Sequence, residues 1–198
     1  MTEVITTNEA EPKVRTPEQQ AAVDTFKDLA DLAVVWTEAN ADSLFRRENI
    51  NGHTVESHDG VGVADVRRML AARNPEAPQQ DIDVRAARLF NRIGIETRGA
   101  QLPEDLDRLD NTSETARIKP FDVITYAAVH LGAHLDLGDE SDRRELDGLI
   151  EKAASGYMKA LGYAPESPEA THATDRLYEA VRNRPKPSKQ YPTLPEYF

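Results

Sequence analysis

The sequence predicts an all-α fold: a helical bundle with a central antiparallel helix pair, a flexible N-terminal arm and a Pro-rich C-terminal tail. Three observations carry this reading. Apolar residues recur at three-and-four spacing through much of the chain, which is the period of one helix face. Proline stands where such runs begin, in Thr16-Pro17, Lys119-Pro120 and Ser167-Pro168; its fixed φ and missing N–H suit a first helical turn. Glycine stands where two runs end, at Gly94 and Gly162, the position at which a left-handed residue releases a helix.

Residues 1–15 are polar and aperiodic, which predicts a flexible arm ordered only by a partner. Thr16-Pro17-Glu18-Gln19 reads as an N-cap, a first-turn proline and the glutamine that completes a capping box. Ala22, Phe26, Leu29, Ala30, Ala33, Val34 and Thr37 follow at helical spacing, predicting a long helix from Pro17 to about Phe45. From Asn49 to Gly62 the period is lost, giving a loop or a small hairpin. Val63, Val66, Met69 and Leu70 resume it up to Asn74-Pro75, and Ile82, Val84, Ala87, Leu89, Phe90 and Ile93 repeat it, with Gly94 as the stop. Residues 16–100 are therefore expected to form an N-terminal helical unit, and the acidic, polar residues 101–118 a linker.

Residues 119–184 show the clearest plan. After Pro120, the residues Phe121, Ile124, Ala128, Leu131 and Leu135 form one apolar stripe. Gly138 frees the chain, Asp139 or Ser141 can accept from the open N–H groups of the next helix, and acidic side chains suit its positive end. Leu146, Leu149, Ile150, Ala153, Tyr157 and Leu161 make the matching stripe, and so short a connection favours antiparallel packing. A last helix opens at Ser167-Pro168 and places Ala170, Ala173, Leu177 and Val181 on one side. Residues 185–198 hold Pro185, Pro187, Pro192 and Pro195, which favour extended or polyproline structure. Tyr191, Leu194, Tyr197 and Phe198 stand among them as candidate partner-binding residues, since a stiff segment loses little entropy on docking. The terminal Glu196-Tyr197-Phe198 is loosely similar to the tails of proteasome activators.

Composition bounds the function. A chain of 198 residues with 39% hydrophobic and 30% charged residues is ordinary for a soluble helical protein. The absence of cysteine removes disulfides, zinc–thiolate sites and thiol nucleophiles together. No apolar run approaches a membrane span and the N-terminus lacks signal-peptide character, so a cytosolic chain without membrane contact is expected. The net charge of −11 argues against strong non-specific duplex binding, which phosphate neutralisation drives.

The candidate sites are few. Between Arg67 and Arg98 arginines outnumber acids, and Arg85, Arg88 and Arg92 share a helix face. With Val63–Arg73 and Asp81–Ile93 as its helices, this stretch reads as an alternative helix-turn-helix DNA-binding unit. His130 and His134 lie one turn apart, and with His53 or Asp136 would offer an alternative metal site resembling the three-histidine bundles of the DinB kind. The more frequent role for such histidines is to flank an apolar stripe, so no metal and no cofactor are expected. His58-Asp59 lacks the further ligands of an HD-type phosphohydrolase, and no phosphate-cradling loop or serine elbow is present. The residues give no positive sign of catalysis and predict a chain that is not an enzyme.

One resemblance bears on function. The run Leu135-Asp-Leu-Gly-Asp-Glu-Ser-Asp142, followed by Leu146, by Leu149-Ile150, by Ala153-Ala154 with Tyr157, and by Leu161-Gly162, resembles the core of phage head–tail connector (head-completion, adaptor) proteins of the HK97 type. Leu177-Tyr178 and Arg182 to Arg184 would stand in the helix that follows it in those proteins. The resemblance covers residues 119–184 and leaves out the first half. It implies a non-enzymatic subunit of a homo-oligomeric ring in the virion, assembled in the host cytoplasm. Its partners would be copies of itself, portal and tail proteins, and DNA passing through the ring without sequence-specific binding. An acidic wall fits that last role by repelling phosphate.

Overall fold

The computed structural model describes residues 15–44, 46–50, 53–57, 59–98 and 116–183. The fold is all-α. Among these residues six helices form a bundle: α1 (Pro17–Asn40), α2 (Val63–Arg73), α3 (Gln79–Arg98), α4 (Pro120–His134), α5 (Glu140–Ala160) and α6 (Pro168–Arg182). A hairpin of two antiparallel strands, β1 (Arg46–Ile50) and β2 (His53–Ser57), lies between α1 and α2, with Arg46 opposite Ser57 and Ile50 opposite His53. The sequence between the strands is Asn51-Gly52, the dipeptide that tight hairpin connections favour.

The helix starts follow the local chemistry. Thr16 accepts from the Gln19 N–H at 3.2 Å while the Gln19 side chain accepts from the Thr16 N–H at 3.1 Å, closing the capping box of α1. Asp139 accepts from the N–H groups of Ser141 and Asp142 and is the cap of α5. Ser167 accepts from the Ala170 N–H and opens α6 ahead of Pro168. At the end of α5, Tyr163 N–H bonds Met158 C=O at 3.0 Å and Gly162 N–H bonds Lys159 C=O at 2.9 Å. Gly162 takes φ 87° to do so, which completes a Schellman turn.

Two predicted ends differ. The first helix stops at Asn40 and passes into a 3-10 turn at Ala41–Ser43 instead of running to Phe45; the Asn40 side chain has turned back to donate to Trp36 C=O at 2.8 Å. Gly94 does not stop α3, which continues to Arg98. A glycine ends a helix by adopting positive φ, and among the described residues Gly162 is the glycine that does. Gly94 stays helical with Ile118 packed over it.

One hydrophobic core runs through the described residues, drawing on Ala22 of α1, Val66 of α2, Leu89 of α3, Ile124 of α4, Ile150 of α5 and Leu177 of α6. Its centre is α4, which packs against α1, α3, α5 and α6 and most extensively against α1. The single stripe expected on this helix is therefore too narrow. Val123, Tyr126, Ala127 and Gly132 are buried as well as Phe121, Ile124, Ala128 and Leu131, as befits a helix packed against four others. The α4–α5 contact includes the Phe121 and Tyr157 rings, whose centroids lie 5.4 Å apart. An isolated antiparallel bridge, with Val61 and Ile118 exchanging N–H···O bonds of 2.9 Å, ties the chain before α2 to the chain before α4. Gly60 is required there: a Cβ at that position would lie 2.3 Å from the Ile118 C=O oxygen. Among the described residues, no helix is long and apolar enough to cross a membrane.

Candidate functional site

The helix expected to present Arg85, Arg88 and Arg92 as one phosphate-facing row does not do so. Arg85 and Arg88 are half-buried, and Arg92 is only 2% exposed. Its Nε donates to Glu96 Oε1 at 2.7 Å, one turn along α3. The row is broken because Arg92 lies beside the side of α3 on which Leu89 and Ile93 are buried in the core. Arg67, on α2, pairs with Asp83 at 2.8 Å, so the basic island is partly neutralised by carboxylates of its own helices.

Glu96 also joins α3 to α4, since its Oε2 lies 3.0 Å from His130 Nε2. The His130 ring rests on Tyr126, with centroids 4.3 Å apart. Burial pushes the Glu96 carboxyl up, but the bonds and charges of His130 and Arg92 together outweigh it and hold the group below its usual value. His134, one turn further along α4, is held below its usual value first by burial and then by the neighbouring His130, against an opposing pull from Glu18. His130 is thus engaged with Glu96. Among the described residues no three histidine or carboxylate side chains come together as a metal set, and Asp136 serves its own loop, accepting from the Gly138 N–H at 3.0 Å. His53 lies on a strand whose side chains are outside the described residues.

The acidic loop between α4 and α5 is also used internally. Asp142 is only 3% exposed; its Oδ2 accepts from the Asp136 N–H at 2.9 Å and from the Gln19 side chain at 3.3 Å. Arg15 reaches the same end of the bundle and donates from Nε and Nη2 to the two Glu145 oxygens, a bidentate pairing of the kind that fixes orientation. The loop and the start of α1 are thus joined.

A concavity of about 820 Å³ opens between α1 and α2. Its floor is apolar: Leu32, Val35 and Trp36 from α1, and Met69 from α2. Val35 is 63% exposed, and Trp36 is the protein's one tryptophan. The rim is charged, with Asp28 bonded to Arg73 across the two helices and Asp65 bonded to Arg68 along α2; Asp31 adds a further carboxylate. Helical spacing alone puts Val34 on the buried stripe and leaves Val35 and Trp36 unassigned. A signal is present in the sequence, since two large apolar residues beside a complete stripe widen a helix's apolar surface beyond one contact.

The tail residues Tyr191, Leu194, Tyr197 and Phe198 lie outside the described residues, as do residues 1–14. Comparison with family models, with curated proteins and with solved structures finds no match to this chain.

Proposed function

We propose that this chain is a non-catalytic assembly subunit that works by docking other protein chains, and that its particular form is the ring-forming head–tail connector suggested by the resemblance over residues 119–184. The observation that carries the docking reading is the open, apolar-floored groove at Leu32, Val35, Trp36 and Met69. An exposed apolar surface with a charged rim is the usual anatomy of a protein contact, and tryptophan is enriched at the centres of such contacts. The ionisable groups of the core support the same reading, because Arg92, Glu96 and His130 are joined to one another and Asp142 is joined to its loop. The net charge of −11 suits a ring through which DNA slides without being held.

The test is imaging. The purified chain, alone and mixed with portal rings, is examined by negative-stain microscopy and size analysis. The reading expects rings, or density added to one face of the portal. A chain that stays monomeric at every concentration and leaves portal rings unchanged contradicts it.

A further inference from the structure

We propose that the α1–α2 groove is occupied, in the assembled protein, by the Pro-rich C-terminal segment 184–198 of a neighbouring copy. The inference rests on the docking reading and names its partner.

Chemistry favours this occupant. The groove offers an apolar floor with Trp36 beside Met69, and an acidic rim of Asp28, Asp31 and Asp65 partly offset by Arg68 and Arg73. The segment offers the complement in two blocks: Arg184, Lys186 and Lys189 first, then Tyr191, Leu194, Tyr197 and Phe198 spaced by Pro192 and Pro195. Proline-rich segments dock on aromatic-lined grooves because their backbone is already extended and little entropy is lost. The basic block would face Asp31, since Asp28 and Asp65 are already bonded to Arg73 and Arg68, while the aromatic block, with Glu196 among it, covers the floor.

The docking reading, in which copies of the chain assemble, makes a neighbour's tail the proposed occupant. Val181, near the end of α6, packs on Gly132 in the last turn of α4, and His134 senses Glu18 in the first turn of α1. The last described residue, Asn183, therefore lies at the end of the bundle where α1 begins. The groove lies toward the other end of that helix, which is about 36 Å long at 1.5 Å per residue. As a polyproline helix the segment would span about 47 Å at 3.1 Å per residue, enough to reach a groove on its own chain or on a second molecule, which the concentration dependence below separates. A tail on one surface and a groove on another make a head-to-tail contact, the class of interface that closes into rings.

Trp36 is a built-in reporter. The full chain is compared with a chain ending at Asn183 and with a full-length L194S/Y197S/F198S variant, by acrylamide quenching of Trp36 and by light-scattering mass across concentration. Circular dichroism confirms that all three keep their helices. The full chain is expected to show quenching that falls several-fold as mass rises, while both tail variants stay small with Trp36 open. Adding a synthetic peptide of residues 184–198 to the shortened chain should protect Trp36 saturably without raising its mass. Protection that is present in the monomer and independent of concentration overturns the neighbour's role. Protection that is lost on removing residues 1–14 but retained without the tail overturns the tail as occupant. V35E separates the two levels. If it abolishes assembly while tail loss changes nothing, the tail is wrong and the docking groove stands; if assembly survives V35E, the docking reading itself falls.

Discussion

Asp142, the last residue of the acidic run, is used by the fold itself. Its buried carboxylate takes the Asp136 N–H and the Gln19 amide, so losing it removes two hydrogen bonds to a charged group. Asp142→Ala is expected to lower stability by about 1–3 kcal/mol, and Asp142→Asn by less, because an amide oxygen still accepts; urea unfolding measures both. Glu96 makes a pH prediction. Its folded-state value lies below its ordinary 4.5, so its contribution is present above that pH and is lost as pH falls through the lowered value. Glu96→Gln should flatten the acid limb of the stability curve, and an unchanged limb would show that the network matters little. His134 has the opposite charge type and the same direction of effect. Its value is lowered from 6.5, so the unfolded chain binds its proton more readily, and stability declines as pH drops below 6.5 until the lowered value is reached. His134→Asn should remove that slope. None of these partnerships is legible in the sequence, since Glu96 and His130 meet only because α3 lies against α4, whereas Thr16 and Gln19 are legible because their bonds close within one turn.

At the scale of the element, α4 decides the architecture. Gly132 lets α6 approach it: a Cβ there would stand 2.7 Å from Val181 Cγ1. Gly132→Ala gains helix propensity but forces a stiff β-branched side chain to shift, and should cost about 1–3 kcal/mol net in thermal or urea unfolding. Adding Val181→Ala should recover part of that loss by making room, which a mutation harmful for any other reason would not show. Gly148 is the control. It lies inside α5, and a Cβ added there would meet nothing within 4 Å, so Gly148→Ala should stabilise by about 0.5–1 kcal/mol. The starts of α1, α4, α5 and α6 are readable because caps and prolines act locally. The continuation of α3 through Gly94 is not, because a glycine's φ depends on what packs beside it, and here that is Ile118, a residue distant in sequence. The packing of α4 against four helices escapes for a related reason. Ala127, buried like Ala128, falls outside the predicted stripe until the neighbouring helices press on it.

For the whole molecule, α1 holds the two halves of the account together. One side of it buries Phe26, Leu29 and Ala33 in the shared core, and another leaves Val35 and Trp36 at the groove with α2. Glu96, His130 and Asp142 are partnered within the bundle, and Val35 is the most exposed large hydrophobic among the described residues. In the proposed function the surface at this groove assembles the protein. Sedimentation velocity over a wide range of concentration, comparing the unaltered chain with Val35→Glu, tests it most directly, because Val35 is 63% exposed and its replacement spares the core. Concentration-dependent higher-order species are expected for the unaltered chain and a monomer for Val35→Glu, with equal helix content in both. Identical sedimentation of the two proteins, whether both assemble or neither does, would contradict it.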